Sequence, residues 1–276
     1  MDKKNSEWKM SKIYAFVERQ INMTLRHWHW ELVWILYQIA MALAIGFIGA
    51  GTASFSGADI NVEELTLFLL IGSLLWGFLN LLLKEMSYSI IWERWEGTIE
   101  YTFMAPVSRL THLIGTSIAA LIYGVIRTTL VLIAIAFFFN ISLDNANLTG
   151  AVIILAIAAV SFIGIGMMVS ILPLLTPERG EIMGTIVQAF LLMISGIYYP
   201  ISVLPNWLQK IALFSPAYYA LEGMRKSLIN GFSLDELWQF IFPLMLLGIV
   251  LIPLGWYVFN IGERYSKRKG RLKRSG

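Results

Sequence analysis

Apolar residues fall in six blocks along the 276-residue chain, separated by more polar segments. The blocks cover residues 32–50, 65–83, 113–139, 151–175, 183–199 and 237–259. Each is close to the ~20 residues that a helix needs to cross ~30 Å of hydrocarbon. The blocks are continuously apolar and do not alternate, which excludes barrel strands, and open strands would leave backbone groups unpaired in lipid. The pattern therefore predicts an all-α membrane protein with six transmembrane helices.

Two segments outside the blocks are also patterned. In residues 1–31, apolar side chains recur at helical spacing with lysines and arginines between them, which predicts an N-terminal amphipathic interfacial helix. A soluble helix packed on a partner is the alternative. The segment after the fifth block is too apolar for a free loop, and Pro200, Pro205 and Pro216 divide it into pieces too short to span. Short re-entrant outer helices between spans five and six fit this pattern, because irregular backbone at membrane depth must be packed in protein.

Lysines and arginines are distributed unevenly between the two sides of the predicted membrane. They precede the first block, lie between the second and third and between the fourth and fifth, and follow the last, whereas residues 51–64 and 140–150 contain neither. Of the segments predicted to lie outside, only the long one after the fifth block carries any, as Lys210, Arg225 and Lys226. Since positive residues mark the cytoplasmic side, both termini are predicted to be cytoplasmic in a multi-pass protein of the inner membrane. The chain is predicted to be a single domain, 1–276, with a surface helix (1–31), a membrane core (32–259) and a basic cytoplasmic tail (260–276).

Composition narrows the possible functions. Hydrophobic residues make up 57% of the chain and charged residues 14%, against roughly 25% charged in a soluble domain. There is no cysteine, so disulfides, thiolate metal sites and cysteine nucleophiles are excluded. No Asp, Glu or His cluster lies within the blocks, so neither a metal site nor a catalytic site is predicted. Glycine is nowhere followed by lysine, so the chain has no phosphate-binding loop, and no cofactor of its own is predicted.

The polar segment between the second and third blocks is the most informative. It reads Glu93-Arg94-Trp95-Glu96-Gly97-Thr98-Ile99-Glu100 and then Pro106-Val107-Ser108-Arg109. This pattern predicts a charged turn, a glycine that breaks the helix leaving the membrane, and a short helix over residues 99–104 that Thr98 caps and Pro106 ends. The helix would have an apolar face formed by Ile99, Phe103 and Met104. Such a helix suits a lever between two spans; a simple connector is the alternative.

This segment closely resembles the signature of ABC-2 type permeases, the membrane domains of type V ABC exporters. The runs 195–200, 204–208 and 215–221 are similar to the fifth helix and outer re-entrant helices of that family, and the order of elements also agrees. The resemblance implies that the short helix is a coupling helix that docks into an ATPase. The coupling residues it implies are Glu93, Arg94, Glu96, Gly97, Thr98, Glu100 and Pro106. Trp95 and Thr116 depart from the family pattern, which leaves the docking partner open.

The resemblance further implies a permease subunit that is not itself an enzyme. It would work with two separate ATPase subunits that bind ATP and Mg, a second permease copy or a related permease, and membrane lipids, but no nucleic acid. The expected function is ATP-driven export of an amphipathic drug, antibiotic, lipid or lipid-linked glycan. The alternative is a secondary, ion-coupled transporter, although no internal repeat supports it.

Arg127 lies midway through the third block, where an arginine costs about 2.5–3.5 kcal/mol on insertion scales. One hypothesis is that it lines the substrate path, together with Trp76 and Gln188, or meets an anionic head group. The other is that it bonds to backbone carbonyls or to polar side chains such as Gln188. No Asp or Glu occupies the middle of a block as a counter-ion. Trp76 could instead belong to an interfacial aromatic belt.

Overall fold

The computed structural model describes residues 2–56, 61–139, 145–176 and 179–270, and it describes side chains outside 2–9, 11 and 53–56. Within these ranges every regular element is a helix. In chain order the α-helices are α1 (Asp2–Arg26), α2 (Trp28–Ser56), α3 (Val62–Trp95), α4 (Ile99–Met104), α5 (Arg109–Phe138), α6 (Leu148–Val169), α7 (Ile171–Leu175), α8 (Gly180–Ile194), α9 (Asn206–Ala212), α10 (Pro216–Leu228) and α11 (Leu234–Arg268). A short 3₁₀ helix, Ile201–Val203, precedes α9. The fold is therefore the predicted all-α class.

Five helical segments are long and apolar enough to cross a membrane, which makes this a multi-pass membrane protein. They are Trp28–Thr52, Val62–Trp95, Arg109–Phe138, Leu148–Leu175 and Leu234–Arg268. The fifth predicted span, residues 183–199, is not among them. Its helix, α8, has only 15 residues, about 22 Å at 1.5 Å per residue. It ends before Gly196, whose φ of 69° turns the chain away from helical geometry. Five of the six predicted spans are thus confirmed.

Several boundaries differ from the predicted ones. The charged turn predicted over Glu93 to Glu96 begins only at Glu96, because α3 continues as a helix to Trp95. The interfacial helix predicted over 1–31 ends at Arg26, and α2 begins at Trp28. Helix α11 continues to Arg268, so the first half of the predicted tail is helical, and residues 271–276 lie outside the described residues. The helices are longer than the apolar blocks because a helix is held by backbone hydrogen bonds and can continue through charged residues. An apolar block marks only the part of the helix that would lie in the hydrocarbon.

Polar caps fix where the helices begin. The side chain of Asn61 accepts a hydrogen bond from the Glu64 amide at the start of α3, and Asn147 accepts one from the Gly150 amide at the start of α6. Ser233 and Glu236 form a reciprocal capping box at the start of α11. Each cap satisfies a backbone donor that has no partner within its helix. The caps therefore fix the residues at which these membrane helices begin.

Glycines allow α6 and α11 to cross at close range in the core. A Cβ atom added to Gly255 of α11 would lie 2.4 Å from the backbone oxygen of Gly164 in α6. A Cβ on Gly164 would lie 2.7 Å from the backbone carbonyl carbon of Leu251. Such distances are shorter than atomic contact allows, and small residues at helix crossings are what permits this approach in membranes. The α6–α11 pair is thus a closely packed crossing in the fold.

We expect Gly255→Ala to destabilise the protein by about 1–3 kcal/mol, because a methyl group would force the two backbones apart. The matched control is Gly184→Ala in α8, where an added Cβ would meet Val169 at an ordinary 3.5 Å. Thermal unfolding in detergent should show a lower Tm for Gly255→Ala and an unchanged or slightly higher Tm for Gly184→Ala. Equal Tm values for the two variants would contradict the close crossing.

Candidate functional site

The junction between α3 and α4 is a glycine turn. Gly97 has a φ of 73°, which side-chain-bearing residues rarely adopt, and its amide donates to the Arg94 carbonyl at 3.1 Å. The Thr98 amide donates to the Glu93 carbonyl at 2.8 Å, which completes a helix-terminating turn. The predicted cap by Thr98 is wrong, since its side chain makes no capping bond to α4. Gly97 therefore sets the angle at which α4 leaves α3.

Helix α4 has one buried face and one exposed face. Ile99 and Phe103 are almost fully buried, and they pack in a cluster with residues of α3, α5, α6, α7 and α11. Tyr101 and Met104 are each 80% exposed on the opposite face. The prediction that Met104 shares one apolar face with Ile99 and Phe103 is thus wrong, because residues 103 and 104 lie about 100° apart around a helix. The short helix is anchored to the fold and presents an apolar surface outward.

Arg19 of α1 contacts three residues at the buried side of the junction. Its guanidinium donates to Glu93 at 2.8 Å, to the Thr102 hydroxyl at 3.1 Å and to the Thr98 hydroxyl at 2.9 Å. The same Glu93 oxygen lies 3.4 Å from the His112 ring nitrogen Nε2 of α5. Glu93 and His112 are both buried, so these contacts are little screened by water. Arg19 therefore ties α1 to α3 and α4.

Arg109, the first residue of α5, holds the other end of α4. It donates to the backbone carbonyls of Thr102 at 2.9 Å and Phe103 at 2.6 Å, and these are carbonyls that the end of a helix leaves without partners. It also pairs with Glu263 of α11 at 2.8 Å, and Lys267 meets the same carboxylate at 2.8 Å. The last turn of α4 is thereby connected to both α5 and α11.

Of the remaining predicted coupling residues, one is buried and three are exposed. Arg94 is buried and donates to the carbonyls of Pro173 at 3.1 Å and Leu174 at 3.2 Å, so it connects α3 with α7. Glu96 makes a 3.7 Å contact with the exposed Arg26, and surface pairs of this kind contribute little. Glu100 is exposed on α4, and the Pro106 carbonyl accepts from Lys12 at 3.4 Å.

The sequence analysis missed Arg19, His112 and Glu263 as members of this network. They lie far along the chain from the motif, and their partners are known only when the helices are packed. One signal was available: Glu263 and Lys267 are four residues apart, as in helical ion pairs, which fits a helix running beyond the last apolar block.

The predicted substrate-path residues are not brought together through Arg127. Its guanidinium donates to the Trp34 carbonyl at 3.0 Å and to the Tyr123 hydroxyl at 3.4 Å, so Gln188 is not one of its hydrogen-bond partners. Gln188 is buried on α8, and Trp76 packs against the main core. The Tyr123 hydroxyl in turn donates to Glu31, which gives Arg127 an indirect link to a carboxylate just before the first apolar block.

A further buried arginine, Arg225 of α10, was not singled out by the sequence. It donates to the carbonyls of Gly196 at 3.0 Å and Ile197 at 2.7 Å, which follow the end of α8. Its guanidinium carbon lies 3.4 Å from the centre of the Phe68 ring in α3. Arg225 therefore fastens the short helices after α8 to the core.

The comparisons with known proteins agree with this architecture. The sequence model described as ABC-2 type transporter matches residues 11–229, which is most of the chain. The linearmycin resistance permease protein LnrN of Bacillus subtilis is 25% identical over 160 residues, covering 58% of this chain and 41% of LnrN. The probable multidrug ABC transporter permease YbhR of Escherichia coli K12 is 24% identical over 162 residues, covering 58% of this chain and 43% of YbhR. The matched region thus spans about two fifths of the length of these relatives. Because the family model covers far more than half of the sequence, the chain belongs to the ABC-2 type transporter family.

Proposed function

We propose that this protein is the membrane permease subunit of an ATP-driven exporter and that α4 is the element that contacts the ATPase. The observation that carries the proposal is the two-sided character of α4. Its inner face is fixed by buried apolar contacts and by two arginines, while Tyr101 and Met104 project outward. An exposed apolar surface on a rigid support is typical of a protein-protein contact.

The proposed topology has six spans, with the short α8 and the turn after it as the fifth. Both termini and α4 then lie on the cytoplasmic side of the inner membrane. The lysines and arginines support this orientation, since they flank α4 and both ends of the chain but are absent from 51–64 and 140–150. In this topology α4 is placed where a cytoplasmic ATPase can reach it.

The proposed mechanism is mechanical. Two ATPase subunits would bind ATP and Mg and close together, pressing on α4 of each permease in a pair. Arg19 and Arg109 connect α4 to α1, α3, α5 and α11 through bonds of 2.6–3.1 Å, so a displacement of α4 would be passed to several membrane helices together. A connector without these bonds would instead flex and absorb the movement.

The proposed substrate class is an amphipathic drug, antibiotic, lipid or lipid-linked glycan. LnrN is named for resistance to linearmycin, and YbhR is named as a probable multidrug permease. These names support export of an amphipathic compound by the present chain. A resistance assay with a panel of amphipathic antibiotics, in cells with and without this gene, would identify the compounds.

Purification from the native membrane under mild conditions tests the central claim. We expect an ATPase with a phosphate-binding loop to co-purify in stoichiometric amount, and substrate-stimulated ATP hydrolysis by the complex. A folded, monodisperse permease that repeatedly purifies without any ATPase would refute the proposal and favour an ion-coupled carrier.

A further inference from the structure

Two cationic side chains converge where α2, α3 and α5 meet. Lys84 directly follows the apolar block 65–83 of α3. Arg127 starts near the middle of the third apolar block, but its guanidinium bonds to the Trp34 carbonyl near the beginning of the first. The Lys84 ammonium lies 5.9 Å from the centre of the Trp34 ring. Both cations are therefore next to Trp34, at the level where the apolar blocks of α2 and α3 end.

Neither cation has a direct ionic partner in the part of the chain that the structure describes. Among the described residues, no carboxylate lies within 4.0 Å of the Lys84 or Arg127 nitrogens. Lys84 is repelled electrostatically by Arg127 and attracted by the more distant carboxylates of Glu181 and Glu85. Placing like charges side by side at a membrane boundary is costly unless an anion lies between them.

The nearby carboxylates are engaged by neutral donors instead. Glu31 accepts a hydrogen bond from the Tyr123 hydroxyl, and Glu85 interacts with the Gln20 side chain of α1. A third carboxylate, Glu181, also acts on Lys84 and accepts a hydrogen bond from the Tyr88 hydroxyl at 2.6 Å, so the nearby carboxylates outnumber the two cations in formal charge. An anion would therefore have to be held by direct hydrogen bonds, because the site has no net positive charge. Such bonds require donor groups that are still free.

A free donor is present at this place. The Nε atom of Arg127 is buried and has no hydrogen-bond partner among the described residues. Buried polar groups without partners are rare in native proteins and indicate a missing ligand or water.

We propose that Lys84 and Arg127 bind the net-anionic phosphate head group of a membrane lipid, as distinct from a zwitterionic one. An arginine and a lysine between membrane helices at the head-group level are suited to this ligand, because the guanidinium binds phosphate oxygens directly and the ammonium adds charge. The site is reachable from the lipid, since Trp34 and Ile126 beside it are exposed on the outer surface of the helix bundle. In the orientation proposed above the site faces the inner leaflet, and only this placement depends on that orientation.

Binding to the purified full-length chain tests the inference without reference to export. Native mass spectrometry in a neutral detergent would titrate phosphatidylglycerol, phosphatidylcholine and inorganic phosphate separately. We expect preferential retention of phosphatidylglycerol, and roughly fivefold weaker binding in Lys84→Gln, as one lost basic contact implies. Arg127→Gln should weaken binding at least as much. Lys210→Gln, which removes an exposed lysine from α9, is the matched control and should bind like the unmodified chain.

The outcomes separate the possibilities. Lys84→Gln should keep the Tm of the unmodified chain measured without lipid, because it breaks no ion pair, so weaker binding in this variant cannot be ascribed to unfolding. Equal affinity for phosphatidylglycerol in Lys84→Gln and the unmodified chain would overturn the proposal, as would equal retention of phosphatidylcholine. Displacement of the lipid by millimolar inorganic phosphate would support the anion site but overturn its assignment to a lipid head group. Failure to co-purify an ATPase would leave these results unaffected.

Discussion

Replacing Tyr101 and Met104 together by alanine is expected to weaken association with the ATPase about thirtyfold while leaving the permease folded. Both side chains are 80% exposed and make no buried contact that the fold requires. Exposed aromatic and methionine side chains at the centre of an interface commonly contribute most of its binding energy, and a loss of ~2 kcal/mol for the pair gives this factor. Co-purification and ATPase activity in the membrane would measure the effect, and the Tm would verify the fold.

A matched double variant provides the control. Trp207 and Phe214 are exposed apolar residues in the segment between α8 and α11, on the opposite side of the membrane in the proposed topology. Trp207→Ala with Phe214→Ala should therefore leave ATPase association unchanged. Undiminished association in the Tyr101/Met104 variant would remove α4 from the interface. An equal loss in both double variants would show a general effect of surface truncation and would also contradict the proposal.

Arg225→Met is expected to cause the largest loss of stability of any single variant considered, about 3 kcal/mol. Methionine retains much of the aliphatic volume but removes the donors to the carbonyls of Gly196, Ile197 and Phe68. Each buried carbonyl left without a donor costs about 1–3 kcal/mol. The neighbourhood cannot rearrange to compensate, since a single methyl added at Gly72 would already lie 2.3 Å from the Ile197 oxygen. The measurement is thermal unfolding in detergent.

Two control variants at neighbouring residues separate the effect of the carbonyl hydrogen bonds from the effect of removing a charge. Lys226→Met removes the adjacent cation, whose ammonium only approaches the Phe232 ring at 5.3 Å, and should change the Tm little. Glu222→Gln removes the partner of the 3.6 Å ion pair with Arg225 and should also have a small effect, because Glu222 is partly exposed. If Glu222→Gln were as destabilising as Arg225→Met, the ion pair and not the carbonyl bonds would hold this region.

The sequence was sufficient to predict the helical class, five of the spans and the family. Apolar blocks report burial in the membrane, and backbone groups in lipid must be paired within a helix, so local composition fixes these features. The helix break at Gly97 was also predictable, because glycine, unlike other residues, adopts a positive φ without steric cost. The segment around Glu93 resembled the ABC-2 type permeases, and the sequence model of the ABC-2 type transporter family matches residues 11–229.

The tertiary structure alone decided the partners of the charges and the true length of α8. Arg94 and Arg225 are buried, although arginine in a sequence is ordinarily taken as exposed, because carbonyls from distant helices supply their acceptors. Arg19 meets Glu93 only because α1 packs against α5, where Gly115 gives room to Phe16. Which side of α4 is buried depends likewise on the helices around it. Periodicity describes one helix at a time, whereas these contacts depend on how separate helices pack.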